Sequence, residues 1–149
     1  MKRKILLASL FVVLILTGCT KKEEIIVDEG SYLYTNKDLG FSLVLTSEFE
    51  YYQTQRTETN NFIDIEIFVP TSDTEYYQEV QSYAIPLTVR IFNKDYYETE
   101  ENEKNLYVKI GESKDKIYAI RFWEKTPKDW KEKWTNEVRD ELINNFKLI

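Results

Sequence analysis

Between residues 32 and 123 the chain runs in short stretches where apolar and polar side chains alternate, and after Thr126 the apolar spacing changes from two to four. Alternation marks a strand with one buried face, whereas a period near 3.6 marks an amphipathic helix. Tyr32-Leu33-Tyr34 and Phe41-Ser42-Leu43-Val44-Leu45 flank the turn-rich stretch Asn36-Lys37-Asp38-Leu39-Gly40, which reads as a hairpin connection. Tyr51 to Arg56 reads as a third strand. Ile63, Ile65, Ile67 and Val69 point one way while Asp64 and Glu66 point the other, predicting a strand with one wet face. Ile85, Leu87, Val89 and Ile91 repeat the pattern with Thr88 and Arg90 opposite. Pro86 belongs near a strand start or an edge, because it has no N–H to give the ladder. Leu106, Val108 and Ile110 make a further strand, and its partner puts Tyr118, Ile120 and Phe122 on one face.

The change of period predicts a helix over about 127–146. Thr126 is a good N-cap, Pro127 takes the favoured first helical position and Asp129 lies three residues after the cap. Trp130, Trp134, Val138, Leu142 and Phe146 then follow at intervals of four, joined by Ile143 on one apolar face. Shorter helical pieces are predicted over 74–82 and 94–104, the second acidic and exposed. Together these elements predict an α+β fold, an antiparallel sheet of about six or seven strands packed by a long C-terminal helix.

The N-terminus carries a different message. Met1-Lys2-Arg3-Lys4 is cationic, and over residues 5–16 only Ala8 and Ser9 interrupt a run of Ile, Leu, Val and Phe, the charged and hydrophobic regions of a secretory signal. The run falls short of the ~20 residues that a spanning helix needs. Leu16-Thr17-Gly18-Cys19 resembles the bacterial lipobox. The resemblance implies that the Cys19 thiol receives a diacylglyceryl group and that a peptidase cuts before it. Cys19 is the only cysteine, so no disulfide forms within the chain. The expected organisation is a signal peptide over 1–18, a lipidated Cys and tether over 19–31, and one domain over 32–149. Ile25-Ile26-Val27 is too apolar for a pure linker and is expected to pack on the domain or add an edge strand. The expected location is the extracytoplasmic face of the cell membrane or outer membrane, held by acyl chains. In a diderm, Thr20 in place of the Asp of inner-membrane retention favours the outer membrane.

Charge and residue content exclude several functions. Loss of residues 1–18 removes three Lys/Arg and no acid, taking the formal charge from −6 to −9. Phosphate backbones need clustered cations, so nucleic acid is not an expected partner. The chain has no histidine, which removes Ser-His and Cys-His nucleophile systems and the commonest zinc ligand. Its four glycines are isolated and form no phosphate-cradling loop, and no cofactor is expected. Carboxylate chemistry is left. Asp64 and Glu66 share a strand face about 7 Å apart, a spacing a hydrolase could use, although a solvated face explains them as well. Glu98, Glu100, Glu101 and Glu103 lack EF-hand spacing and read as a solvated segment.

The stretch Tyr34-Thr35-Asn36-Lys37-Asp38-Leu39-Gly40-Phe41-Ser42-Leu43 resembles the opening of PsbP-like domains. The close, Ile143-Asn144-Asn145-Phe146-Lys147-Leu148-Ile149, is similar to the ending of the same group. Where the family continues with a Pro and a Trp, this chain has Leu45-Thr46-Ser47-Glu48-Phe49. The resemblance covers roughly residues 32–149 and implies a compact scaffold used for protein binding, without a shared active site. Binding-surface candidates come from the aromatic pairs Tyr51-Tyr52, Tyr76-Tyr77 and Tyr96-Tyr97, one of each expected to face outward. Tyr52, Tyr77, Tyr97 and Trp123 are the residues expected to form it, with second-layer packing as the other reading. The predicted function is a non-enzymatic binding or accessory lipoprotein with a protein partner in the envelope. A carboxylate-based hydrolase of envelope glycan and a purely structural lipoprotein are the alternatives.

Overall fold

The computed structural model describes residues 29–101 and 103–149. The signal region, the Leu16-Thr17-Gly18-Cys19 motif and Ile25-Ile26-Val27 lie outside the described residues. The elements run β1 (Tyr32–Asn36), β2 (Phe41–Leu45), β3 (Gln53–Glu58), β4 (Phe62–Pro70), β5 (Tyr83–Asn93) and α1 (Lys94–Thr99), then β6 (Val108–Glu112), β7 (Lys116–Phe122), α2 (Asn136–Asn144) and β8 (Lys147–Leu148). The fold is α+β with two antiparallel sheets, β1-β2-β8 and β3-β4-β5-β7-β6. The single sheet of six or seven strands is thus corrected, among the described residues, to eight strands in two sheets. The eighth arises where the chain end pairs with β2, Phe41 opposite Leu148.

The β1–β2 turn forms where expected. Asn36 Oδ1 accepts from the Leu39 amide at 3.1 Å, and Gly40 takes a positive φ of 73° that costs glycine little. Tyr118 then donates its hydroxyl to Leu39 O at 2.7 Å, tying this hairpin to β7. The main core lies between the two sheets, where Phe41, Leu43 and Leu45 of β2 meet Ile65, Ile67, Leu87, Val89 and Ile120 of the larger sheet. Val138 and Leu142 of α2 close one side of it. A smaller cluster on the opposite face gathers Phe92, Tyr107, Ile117 and Ala119, with Phe62, Tyr96 and Tyr97 packed against it.

Several predicted elements differ. The long helix over 127–146 is replaced by a 3-10 turn, Lys128–Trp130, and a nine-residue α2. Thr126 caps nothing; Thr135 does, its hydroxyl accepting from the Val138 amide at 3.3 Å. Asp129 cannot serve a helix start because its carboxylate accepts from Thr71 Oγ1 at 2.7 Å and from the Ser72 amide at 2.9 Å. Burial opposes its ionisation, but these hydrogen bonds prevail and hold its pKa below the usual range. The piece predicted over 74–82 is a loop, and that over 94–104 divides into α1 and a 3-10 turn at Lys104–Leu106. The third strand starts at Gln53 because Tyr51 sits at φ 61°, in the left-handed region of a turn. Leu106 precedes β6 and Val108 lies at its open edge, both exposed, so only Ile110 of that trio packs on the core.

Pro86 stands inside β5, between two neighbouring strands, at a bulge. Ile85 and Pro86 together oppose Phe68, with Ala84 paired to Val69 and Leu87 to Ile67. A bulge tolerates the missing N–H and reverses the side-chain alternation. Ala84 therefore enters the core, and Ile85, expected inward, turns to the other face.

Candidate functional site

The outer face of the larger sheet is divided in two by chemistry. One half is covered. Arg90 on β5 grips Asp64 on β4 with Nε on Oδ1 and Nη2 on Oδ2, each 2.7 Å, and places Nη1 2.7 Å from Glu103 Oε2. Its guanidinium lies 3.6 Å from the Phe62 ring centroid and 4.7 Å from that of Tyr107. The wet face predicted around Asp64 is thereby corrected: Asp64 is buried, because a partner 26 residues away in sequence neutralises it and aromatic rings cover the pair. Both oxygens of Asp64 are committed, so the Asp64–Glu66 pair does not stand as two available carboxylates.

The other half is open. A groove of about 570 Å³ runs over it. Its floor is one cross-strand row, with Glu66 on β4 opposite Thr88 on β5 and Thr88 opposite Arg121 on β7. Adjacent strands stand about 5 Å apart, so the three backbone positions are set at roughly equal steps, while the Arg121 guanidinium lies 5.2 Å from the Tyr107 ring centroid. Thr88 is only 3% exposed. Among the described residues neither Thr88 nor Glu66 has a side-chain hydrogen bond, and Glu66 has no ion pair. Burial pushes the Glu66 carboxyl above its usual range, the carboxylates of Glu79 and Asp64 push the same way, and Arg121 and Arg90 oppose them.

One wall is the loop over 71–82 between β4 and β5, which carries Tyr76, Tyr77 and Glu79. Polar contacts staple it in place. Thr71 N donates to Ser82 O at 2.9 Å, Lys128 N donates to Asp73 Oδ2 at 2.9 Å, and Lys128 pairs with Glu75. The other wall is Trp123, just past β7, whose amide donates to Pro86 O at 3.0 Å. Its ring meets those of Trp134 at 5.1 Å, Trp130 at 5.7 Å and Tyr76 at 6.5 Å. Glu124 and Lys125 complete the rim.

Of the four predicted surface residues, Tyr77 and Trp123 line this groove together. Tyr77 is 81% exposed; Trp123 is half-buried, its ring edge-on to two other indoles. Tyr52 is half-buried against Tyr32, and its neighbour Tyr51 is the exposed member of that pair. Tyr97 is half-buried as well, its ring 5.2 Å from that of Phe92 in the smaller cluster. Tyr76 was singled out from sequence only as a member of the Tyr76-Tyr77 pair, and Thr88 and Arg121 were not singled out as site residues. Their signal lies in strand register, which brings 66, 88 and 121 into line only once the strands are paired.

Among the described residues no group of three or more acidic or cysteine side chains is placed to hold a metal ion, and no helix is long and apolar enough to cross a membrane. No family model, no curated protein and no solved structure matches this chain.

Proposed function

We propose that this chain is a membrane-anchored extracytoplasmic lipoprotein whose domain, of PsbP-like architecture, is a non-enzymatic binding or accessory module that contacts its partner through the groove. The anchor reading is supported by the basic start, the apolar run and Leu16-Thr17-Gly18-Cys19 in order. The PsbP-like reading is supported by the motif at 34–43, which forms the β1–β2 hairpin, and by the closing motif, which falls at α2 and β8. The non-enzymatic reading is supported by the absence of histidine and by the engagement of Asp64 with Arg90.

The observation that carries the binding reading is Tyr77: a large ring left exposed on a stapled loop, beside Trp123 and above unpartnered polar groups. Rings presented on a rigid frame give contact area at low entropic cost. The test is a photoreactive amino acid at position 77, irradiated in the native envelope, with position 57 on the exposed β3 as reference. A discrete adduct at 77 that is missing at 57 is expected. The same adducts at both positions, or none at 77, would count against the groove.

A further inference from the structure

From the groove's chemistry we infer that its occupant is cationic: a lysine- or arginine-bearing segment of a protein partner, its charged group seated between Glu66, Thr88 and Glu79. This deepens the groove reading and rests on it.

Three observations point to a cation. Glu66 is half-buried and in no ion pair among the described residues, with Arg90 engaged by both oxygens of Asp64 and Arg121 acting on it only from beyond ion-pair distance. Glu79 lines the same groove from the loop wall, and its carboxylate adds to the burial that opposes ionisation of Glu66. A cation between them relieves both burial and repulsion. Thr88, buried to more than nine-tenths, has a hydroxyl without a hydrogen bond on the groove floor, an acceptor for an ammonium or guanidinium N–H.

The remaining charges orient the ligand. Arg121 sits on the far side of Thr88 and repels a cation, which confines the seat to the Glu66 end of the row. Glu75 is spent on Lys128, and Glu124 and Lys125 stand together at the rim. Tyr76 and Tyr77 line the wall, and aromatic rings are a surface on which lysine and arginine heads pack. A glycan would use the same rings, but gains nothing from the carboxylate repulsion.

The experiment titrates full-length protein in non-ionic detergent at low salt with end-blocked hexalysine, hexaglutamate and chitohexaose, reading tryptophan fluorescence and heat. Hexalysine is expected to bind and hexaglutamate not to. Glu66→Gln should weaken hexalysine about tenfold, as for loss of a charge-assisted hydrogen bond. Glu98→Gln with Glu101→Gln, two exposed acids elsewhere, should weaken it less than about twofold. Equal weakening by both sets would overturn the proposal, since bulk charge alone would then explain the binding. Chitohexaose binding that Tyr77→Ala abolishes, with hexalysine indifferent to Glu66, would overturn the cation and retain the groove. Binding of neither probe would overturn the cation, and lack of an adduct at position 77 would remove the groove as well.

Discussion

Arg90 and Asp64 face each other across the β4–β5 ladder and exchange two parallel hydrogen bonds of 2.7 Å, their side chains only 11% and 12% exposed. Such a pair is costly to bury, so its consequence is positional. By reaching Glu103 as well, Arg90 fastens the excursion after α1 over one half of the sheet face and leaves the other half open as the groove.

Breaking this pair from one side strands a buried charge. Arg90→Ala is expected to lose about 3–5 kcal/mol in urea unfolding, whereas Asp64→Leu with Arg90→Met loses much less. A loss below about 1 kcal/mol for Arg90→Ala would show that the pair is not buried in solution.

The helix start is tested by two threonines. Thr135→Ala removes the cap of α2 and should cost about 0.5–2 kcal/mol. Thr126→Ala should stay within about 0.5 kcal/mol. The opposite ranking would restore a helix beginning at Thr126.

Glu66 should be a stability cost at neutral pH. Its carboxyl is held above the usual range, chiefly by burial, so the folded state favours the protonated form. The stability tied to that proton is complete below the unfolded value near 4.5 and is lost as pH rises through the folded value. Glu66→Gln is therefore expected to raise the urea midpoint at pH 7 and leave it nearly unchanged at pH 4. A lowered midpoint at pH 7 would mean that the carboxylate is a structural partner and not an idle one.

Glu112 has the opposite sign. Hydrogen bonds from Lys109 and Lys94 hold its carboxyl down to about 2. Its contribution is present above the unfolded value near 4.5 and disappears as pH falls toward 2. Carboxyl-carbon NMR should find its midpoint near 2, moving toward 4.5 in Lys94→Met with Lys109→Met. A midpoint near 4.5 in the parent chain would show that the two lysines do not hold it.

Much of the sheet was legible because alternation is local. The core-facing sides of β2, β4 and β7 follow from period two alone. What was hidden depends on distant partners. Trp130 and Trp134 are spaced like helix residues, yet Trp130 donates its Nε1 proton to Pro70 O at 2.9 Å and the two rings pack around Phe49. Asp129 is claimed by Thr71 and Ser72, 58 and 57 residues earlier. Ile85 leaves the core through a bulge that strand period cannot foresee. For the site, Tyr77 and Trp123 were visible as aromatic residues without a local packing role. The floor was not, since Glu66, Thr88 and Arg121 belong to three strands.

We propose that Cys19 carries lipid and holds this domain on a membrane outside the cytoplasm. Intact-mass and N-terminal peptide mass spectrometry of the natively expressed protein tests it directly. The account predicts a membrane-fraction chain that begins at Cys19 and bears a diacylglyceryl thioether. A cytosolic chain retaining residues 1–18 with an unmodified Cys19 thiol would contradict it.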